Sequence, residues 1–532
     1  MAISNKKLIM KKLILLISSV IWLSIGHSLF GQVLNSKQID SLVEKAMDIS
    51  PSIGIAIAVV KDGRVIHSKG YGVKSIKNKK KVDEHTLFAI ASNSKAFTAA
   101  ALSILVDEGK LNWEDKVINH IPEFKMYNDY VTANFTIVDL LTHRSGLGLG
   151  AGDLMIFPDG ADFTIKDVLN SFQHQKSTSA FRTKYDYDNL LYIVAGEIVV
   201  RISGMSWGDF VQSRIFVPLG MNNSVPTSSR LQKNANLALP HDSEGEQIKQ
   251  LPTYDSDLVA AAGGIYASVS DLSKWMIMQL NNGKYGMELS NELFSETQQN
   301  EMWKPHTNTG FTTKPNPRTN SHFSAYGLGW VLKDAKGKIV ISHTGGLPGM
   351  LSRTILVPEL NIGIVVLTNS SPGGGSYYSI PEMILDSYLN IEQKDRITEI
   401  SDIVKARGNE SDSVTTAVWK IVKENKSSII NLNDYAGIYK DNWFGEVEIA
   451  LKDGKLWFTS KRSPKLNGEM FFYNANTFAI KWEYQDMNAD AFAMFSLDQE
   501  GKAQSIKMKG ISPNIDFSFD FHDLDLIRVD NN

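Results

Sequence analysis

The sequence predicts an α/β (α+β) fold: one mainly antiparallel sheet flanked by helices, with a largely helical insertion, followed by a small all-β barrel-like domain. Three observations predict it. β-rich apolar runs lie near the start and near residues 338–368, with helical patterning between them. Strands from the two ends then pack most economically as one sheet with helical layers against it. From Leu432 onward the texture changes to short alternating strands broken by turns such as Asp453-Gly454 and Asp498-Gln-Glu-Gly501, which reads as a separate barrel or sandwich. The resulting division is 1–31 signal peptide, 32–392 main domain, 393–430 linker and 431–532 β-rich domain.

The elements follow in order. Lys6, Lys7, Lys11 and Lys12 precede the apolar run Leu13–Leu23, a charged segment and a hydrophobic segment of export-signal length. The run falls short of the ~20 residues that span a bilayer. Cleavage is expected near Ser24-Ile25-Gly26 or after Gly31, leaving an exported chain, periplasmic or extracellular, without stable membrane insertion. Ser52–Val60, the turn Lys61-Asp62-Gly63 and Arg64–Tyr71 read as a hairpin. Phe88–Leu102 reads as the start of a buried helix. Phe135–Gly146 suggests a short helix, Asn189–Arg201 a long apolar one, and Ile215–Met221 a helix stop. Ala260–Ser268 reads as a small-residue loop, Ser270–Leu280 as a capped helix, and Thr307–Ser324 as an exposed loop. Lys338–His343 is a strand signal, and Ser352–Pro358 with Ile362–Thr368 forms a hairpin. Ile380–Leu389 is a closing helix. Residues 393–430 are charged and Ser-rich with some helical character. In the last domain Glu446–Lys452, Lys455–Thr459, Thr477–Trp482, Ala491–Ser496 and Phe517–Phe521 read as strands.

Composition narrows the function. At 532 residues the chain is too long for one ordinary domain. Its 43% hydrophobic and 21% charged residues suit a globular protein with a substantial core. A net charge of −3 and the lack of a basic block argue against nucleic acid as partner. With no cysteine, disulfides, thiolate metal sites and a cysteine nucleophile are excluded. The eleven histidines are scattered without metal-ligand spacing, so no metal or other cofactor is expected.

The chemistry concentrates in Ser92-x-x-Lys95. Residues three apart on a helix share a face, about 5–6 Å between Cβ atoms. The Lys95 amine can therefore reach the Ser92 hydroxyl, which needs a neighbouring base to act as a nucleophile. The helix start also favours a developing negative charge. Hydrolases built on Ser-x-x-Lys need a polar triad on the helical side and a Lys-Thr-Gly on a strand. Tyr187-Asp188-Asn189 stands before the long apolar helix, and His343-Thr344-Gly345-Gly346 ends a strand. Order and placement both fit.

On these motifs the chain resembles the serine β-lactamase and penicillin-binding protein family, of the class C type. Leu140–Leu147, Phe216–Met221, Gly263–Tyr266, Ser270–Leu272 and Tyr326–Trp330 extend the resemblance over roughly residues 35–392. Asp434–Tyr439, Asp453–Leu456 and Phe495–Asp498 resemble a β-rich accessory domain found after such hydrolases. The resemblance implies Ser92 as acylated nucleophile, Lys95 as its base and Tyr187 as a second proton shuttle. It implies Asn189, His343, Thr344, Gly345 and Gly346 as the substrate-binding set, with Ser92 and Gly346 N–H groups as the oxyanion hole. One departure is visible: His343 replaces the lysine. A histidine is mostly neutral at pH 7 and does not clamp a carboxylate as lysine does. β-Lactamase activity is therefore expected to be weakened. A D-peptidase, an esterase or such a weakened β-lactamase acting on a small-molecule or peptide substrate is expected, with His343 orienting substrate or relaying protons.

Two rival features carry less. Gly204-Met-Ser-Trp-Gly208 matches a nucleophile elbow in letters, but a helix precedes it where the elbow needs a strand, so Ser206 reads as a helix cap. Gly146, Gly148 and Gly150 lack the strand and the Lys-Ser/Thr ending of a nucleotide loop. The alternative function is a silent peptide- or cell-wall-binding protein on the same fold. The substrate and the oligomeric state are not determined by the sequence.

Overall fold

The computed structural model describes residues 33–244, 247–425 and 430–529. The expected signal segment lies outside the described residues. Helix α1 (Ser36–Ile49) is followed by the hairpin β1 (Gly54–Lys61) and β2 (Arg64–Gly72). Helices α2 (Ser94–Asp107), α3 (Leu190–Ser203) and α4 (Val269–Leu280) belong to the helical layer. Then come β3 (Thr307–Phe311), β4 (Phe323–Tyr326), β5 (Val331–Ala335), β6 (Lys338–Leu347), β7 (Met350–Val357) and β8 (Ile362–Thr368), closed by α5 (Gly374–Tyr388). The eight strands form one sheet in the order β2-β1-β8-β7-β6-β5-β4-β3, and every pair is antiparallel. This is the α/β architecture the sequence predicts.

Strand β1 shows how the pattern builds two layers. Side chains alternate across a strand. Ala56, Ala58 and Val60 face the core shared with α2, α3 and α4. Ile55, Ile57 and Val59 face the opposite core, under α1 and α5. Helix α2 is buried almost all round, and its alanines let neighbouring backbone come close. Ser206 caps the helix after α3, its hydroxyl accepting from Asp209 N.

Helix α6 (Arg396–Glu424) occupies the stretch expected as a linker, as a single run of 29 residues capped by Asp395. Its Val418, Trp419 and Val422 pack on Ala479 and Ile511 beyond it, which keeps it ordered despite its charge. The last domain is a closed eight-stranded barrel running from Gly437–Asp441 to Leu526–Val529. Trp443 and Trp482 lie in its core. It docks on the helical layer through Arg462, which bonds Asp162 and Asp167, and through Lys465 to Asp159.

Three local expectations are corrected. Ala260–Ser268 is not a loop: Ala260–Gly263 is a helical turn and Tyr266–Ala267 a short strand. Small residues there allow close packing on α2, with Ala261 and Ala262 carbonyls accepting from Thr98 and Lys95. Residues 307–324 are not all loop, because their two ends belong to the edge strand β3 and its neighbour β4. At a sheet edge one side of the ladder is free, so Gly, Thr and Asn are tolerated. Phe517–Phe521 is not a strand but a loop between two barrel strands. Its alternation does not mark one apolar face turned inward: Ser518 and Asp520 are buried along with Phe521, while Phe517 is 38% exposed.

Candidate active site

Ser92 sits on a 3₁₀ turn, Ala91–Asn93, that leads straight into α2. Ala91 has a φ of +47°, a left-handed conformation costly for a residue with a Cβ. The surroundings hold it. Ile90 N donates to Ile265 O at 2.9 Å, and Ile265 N donates to Ser94 Oγ at 3.1 Å. Ser352 Oγ donates to Ile90 O at 2.6 Å and accepts from Asn93 Nδ2 at 2.8 Å.

Strand β6 runs against this turn. A Cβ on Gly345 would lie 2.2 Å from Ile90 O and 2.4 Å from Ser352 Oγ, so only glycine fits. Beyond it, Thr344 and Gly346 face outward and line a cavity of about 290 Å³ together with Ser92, Tyr187, Asn189 and His343. Six of the eight sequence-predicted residues thus line one cavity, Lys95 lies buried directly beneath it, and Gly345 provides the close approach instead of lining it.

Lys95 is fully buried. Its Nζ donates to Ser92 Oγ at 3.2 Å, Asn189 Oδ1 at 2.7 Å and Ala262 O at 3.0 Å. Burial pulls its pKa down from 10.5 to about 7, against the opposing pull of Asp153 and Asp188. Near neutrality it can therefore give up a proton. Two of its three partners, the Asn189 amide oxygen and the Ala262 carbonyl, only accept. The Ser92 hydroxyl is the partner able to donate back.

Tyr187 lies over the same group, its ring centroid 4.7 Å from Lys95 Nζ. Burial pushes its phenol well above 10, while a hydrogen bond with Ser92 opposes that shift. It is therefore a neutral hydroxyl at pH 7 and not a phenolate. Asn189 holds the N-cap position of α3, but its side chain makes no capping bond. It bridges Lys95 to Asp153 instead, Nδ2 donating to Asp153 Oδ2 at 2.8 Å.

His343 is buried, with both ring nitrogens engaged. A carbonyl can only accept, so Nδ1–H donates to Thr344 O at 2.6 Å, and Nε2 accepts from the Tyr326 hydroxyl at 2.8 Å. Burial, reinforced by Lys95, lowers its pKa to about 3. It contributes a neutral ring and neither a cation nor a spare donor.

Sequence reasoning missed several members. His143 packs on Tyr187 with centroids 4.2 Å apart and accepts from Asp188 N at 3.1 Å. Asp153 completes the Lys95–Asn189 chain, and Asp188, also buried, has its pKa raised by burial to about 7. The barrel contributes Asp516, Phe517 and Ser518 to the cavity wall. The signal for the last was the alternation Phe-Ser-Phe-Asp-Phe, which marks buried polar groups once the partner surface is known.

Residues 39–386 match the beta-lactamase family, and residues 423–528 match a domain of unknown function, DUF3471. The chain is 28% identical over 442 residues to the unguisins hydrolase of Aspergillus violaceofuscus, covering 78% of this chain and 77% of that one. It is 26% identical over 396 residues to protein flp of Staphylococcus aureus, covering 73% of each. Among solved structures, the octameric penicillin-binding protein homologue from Pyrococcus abyssi superposes with a TM-score of 0.59 at 20% identity, over 93% of this chain and all (100%) of that one.

Proposed function

The chain belongs to the beta-lactamase family, and from that premise we propose that it is an exported serine hydrolase forming an acyl-enzyme on Ser92 from an amide or ester. The observation that carries this reading is the Lys95 amine, buried, with Ser92 as its one partner able to return a proton. Neutral Lys95 takes the Ser92 proton as Oγ bonds to the substrate carbonyl carbon. The carbonyl oxygen becomes an oxyanion, held by the N–H groups of Ser92 and Gly346 at the cavity wall. Collapse of this intermediate breaks the bond to the leaving group, which takes its proton from the Tyr187 hydroxyl as Tyr187 takes up the one that Lys95 received from Ser92. Water then attacks the ester carbonyl by the same route and frees Ser92. Export rests on the Lys-rich apolar N-terminal segment.

The cavity wall favours neutral or amine-bearing substrates over carboxylates. His343 is neutral, Asp516 is the acidic residue of the lining, and no Lys or Arg is among the described lining residues. D-aminoacyl amides and short acyl esters are accordingly better candidates than β-lactams. Labelling with a fluorophosphonate probe, read by intact mass and peptide mapping, tests the reading. A single adduct on Ser92, absent in Ser92→Ala, is expected. No adduct, together with no hydrolysis of p-nitrophenyl acetate or a panel of D-aminoacyl amides, overturns it in favour of a silent binding protein.

A further inference from the structure

We propose that the barrel domain is part of the hydrolytic site, with Ser518 as a positioning residue that orders Asp153 and, through Asn189, the Lys95 amine. The inference rests on the reading that Lys95 serves Ser92.

The bonds form one continuous chain. Lys95 Nζ donates to Asn189 Oδ1 at 2.7 Å, Asn189 Nδ2 donates to Asp153 Oδ2 at 2.8 Å, and Ser518 Oγ donates to the same oxygen at 2.9 Å. Asp153 Oδ1 has no partner among the described residues. Ser518 is thus one of two groups fixing that carboxyl, and it arrives from 365 positions away in the sequence. Asp520 holds the turn itself: its two oxygens accept from Gly152 N and Leu154 N, both at 2.8 Å. The fit is close on either side. A Cβ on Gly150 would lie 2.7 Å from Phe517 O, and one on Gly152 would lie 2.5 Å from Leu190 Cδ1 on α3. Residues 150–155 are therefore clamped between the barrel loop and the helix that carries Asn189.

Domain docking alone does not account for this contact. Arg462 and Lys465 already tie the barrel to Asp159, Asp162 and Asp167 with exposed or half-exposed ion pairs. Ser518 and Asp520 instead are buried polar groups spent on the turn beside the amine. The charged and titratable groups acting on Asp153 are Lys95 and Asp188, and it in turn acts on Asp520, Tyr187 and Tyr254. Burial, with Asp188 beside it, raises the Asp153 pKa well above the usual carboxylate range; against this the Ser518 hydroxyl favours the Asp153 carboxylate, and that carboxylate favours the protonated Lys95. Without the hydroxyl, Asp153 holds its proton to higher pH and Lys95 loses its own at lower pH.

The test follows Lys95 directly. The side-chain Nζ signal of ¹⁵N-lysine-labelled full-length protein, assigned by its loss in Lys95→Met, is titrated in wild type, Ser518→Ala and Ser518→Thr. The expected result is a midpoint roughly one pH unit lower in Ser518→Ala and near wild type in Ser518→Thr, which restores the hydroxyl. The acid limb of the fluorophosphonate labelling rate should move by the same amount, with the thermal midpoint of each variant recorded alongside. Equal Lys95 midpoints in all three proteins overturn the proposal. Should Ser92 be inert to the probe in wild type, the hydrolase reading fails by itself, and the Lys95 titration still decides whether the barrel acts on the amine.

Discussion

The titration of Lys95 makes the most demanding prediction. The perturbation is pH alone, and the assay is the second-order rate of fluorophosphonate labelling of Ser92 between pH 5 and 10. A lysine in water would be a poor base until pH 10, but burial brings this one to about 7. That displacement corresponds to roughly 5 kcal/mol at 1.36 kcal/mol per pH unit. The neutral fraction falls about tenfold for each unit below the midpoint, so the rate at pH 5 should be about 1% of the plateau. Lys95 and Asp188 interact and both lie near 7, so the inflection there belongs to the pair and not to one residue. A profile flat from pH 5 to 9, or one still climbing at pH 10, refutes Lys95 as the proton acceptor. Stability offers a second readout with a definite sign. Lys95 binds its proton less tightly folded than unfolded, so it destabilises the fold in full below about pH 7. The penalty fades as pH rises towards 10.5. Lys95→Met should abolish labelling yet raise the unfolding free energy at pH 6 by about 1–4 kcal/mol, with the gain disappearing at high pH.

Three further outcomes are expected. Gly345→Ala forces a methyl against Ile90 O and Ser352 Oγ; it should cost about 1–3 kcal/mol in denaturant unfolding and slow labelling by more than about tenfold. His343→Lys places a cation on the cavity wall and removes the acceptor of the Tyr326 hydroxyl. The ratio of kcat/KM for a carboxylate-bearing ester over its neutral analogue should rise by about tenfold or more, and an unchanged ratio would remove the argument about substrate charge. Asp139 is wholly buried and accepts from Arg144 Nε at 2.8 Å and Arg182 Nη2 at 2.6 Å. Burial opposes its charge, but the Arg182 hydrogen bonds hold its carboxyl below the usual range, so its support is present above pH 4 and lost as pH falls through the lowered value. Asp139→Asn should cost about 2–3 kcal/mol at pH 7, less than a fully buried pair because Arg182 is 39% exposed. Little of that cost should remain in strong acid.

By itself the sequence determined the elements and the chemistry they carry. The β-rich apolar run Ser52–Val60 and the hairpin at Glu359-Leu360-Asn361 are local properties, so they were legible, as was the one-turn spacing of Ser92 and Lys95. The order of Tyr187-Asp188-Asn189 and His343-Thr344-Gly345 was legible too, because it is a matter of succession along the chain. What only the tertiary structure decided is the state of those groups. The base strength of Lys95, the neutrality of His343 and the failure of Tyr187 to ionise all depend on how much water the fold excludes, and exclusion is a sum over residues far apart in sequence. The same reason hides Ser518 and Asp520. In the sequence they alternate with phenylalanines as in any strand, and only the docked barrel shows that their partners are a carboxyl and two backbone N–H groups more than three hundred residues earlier.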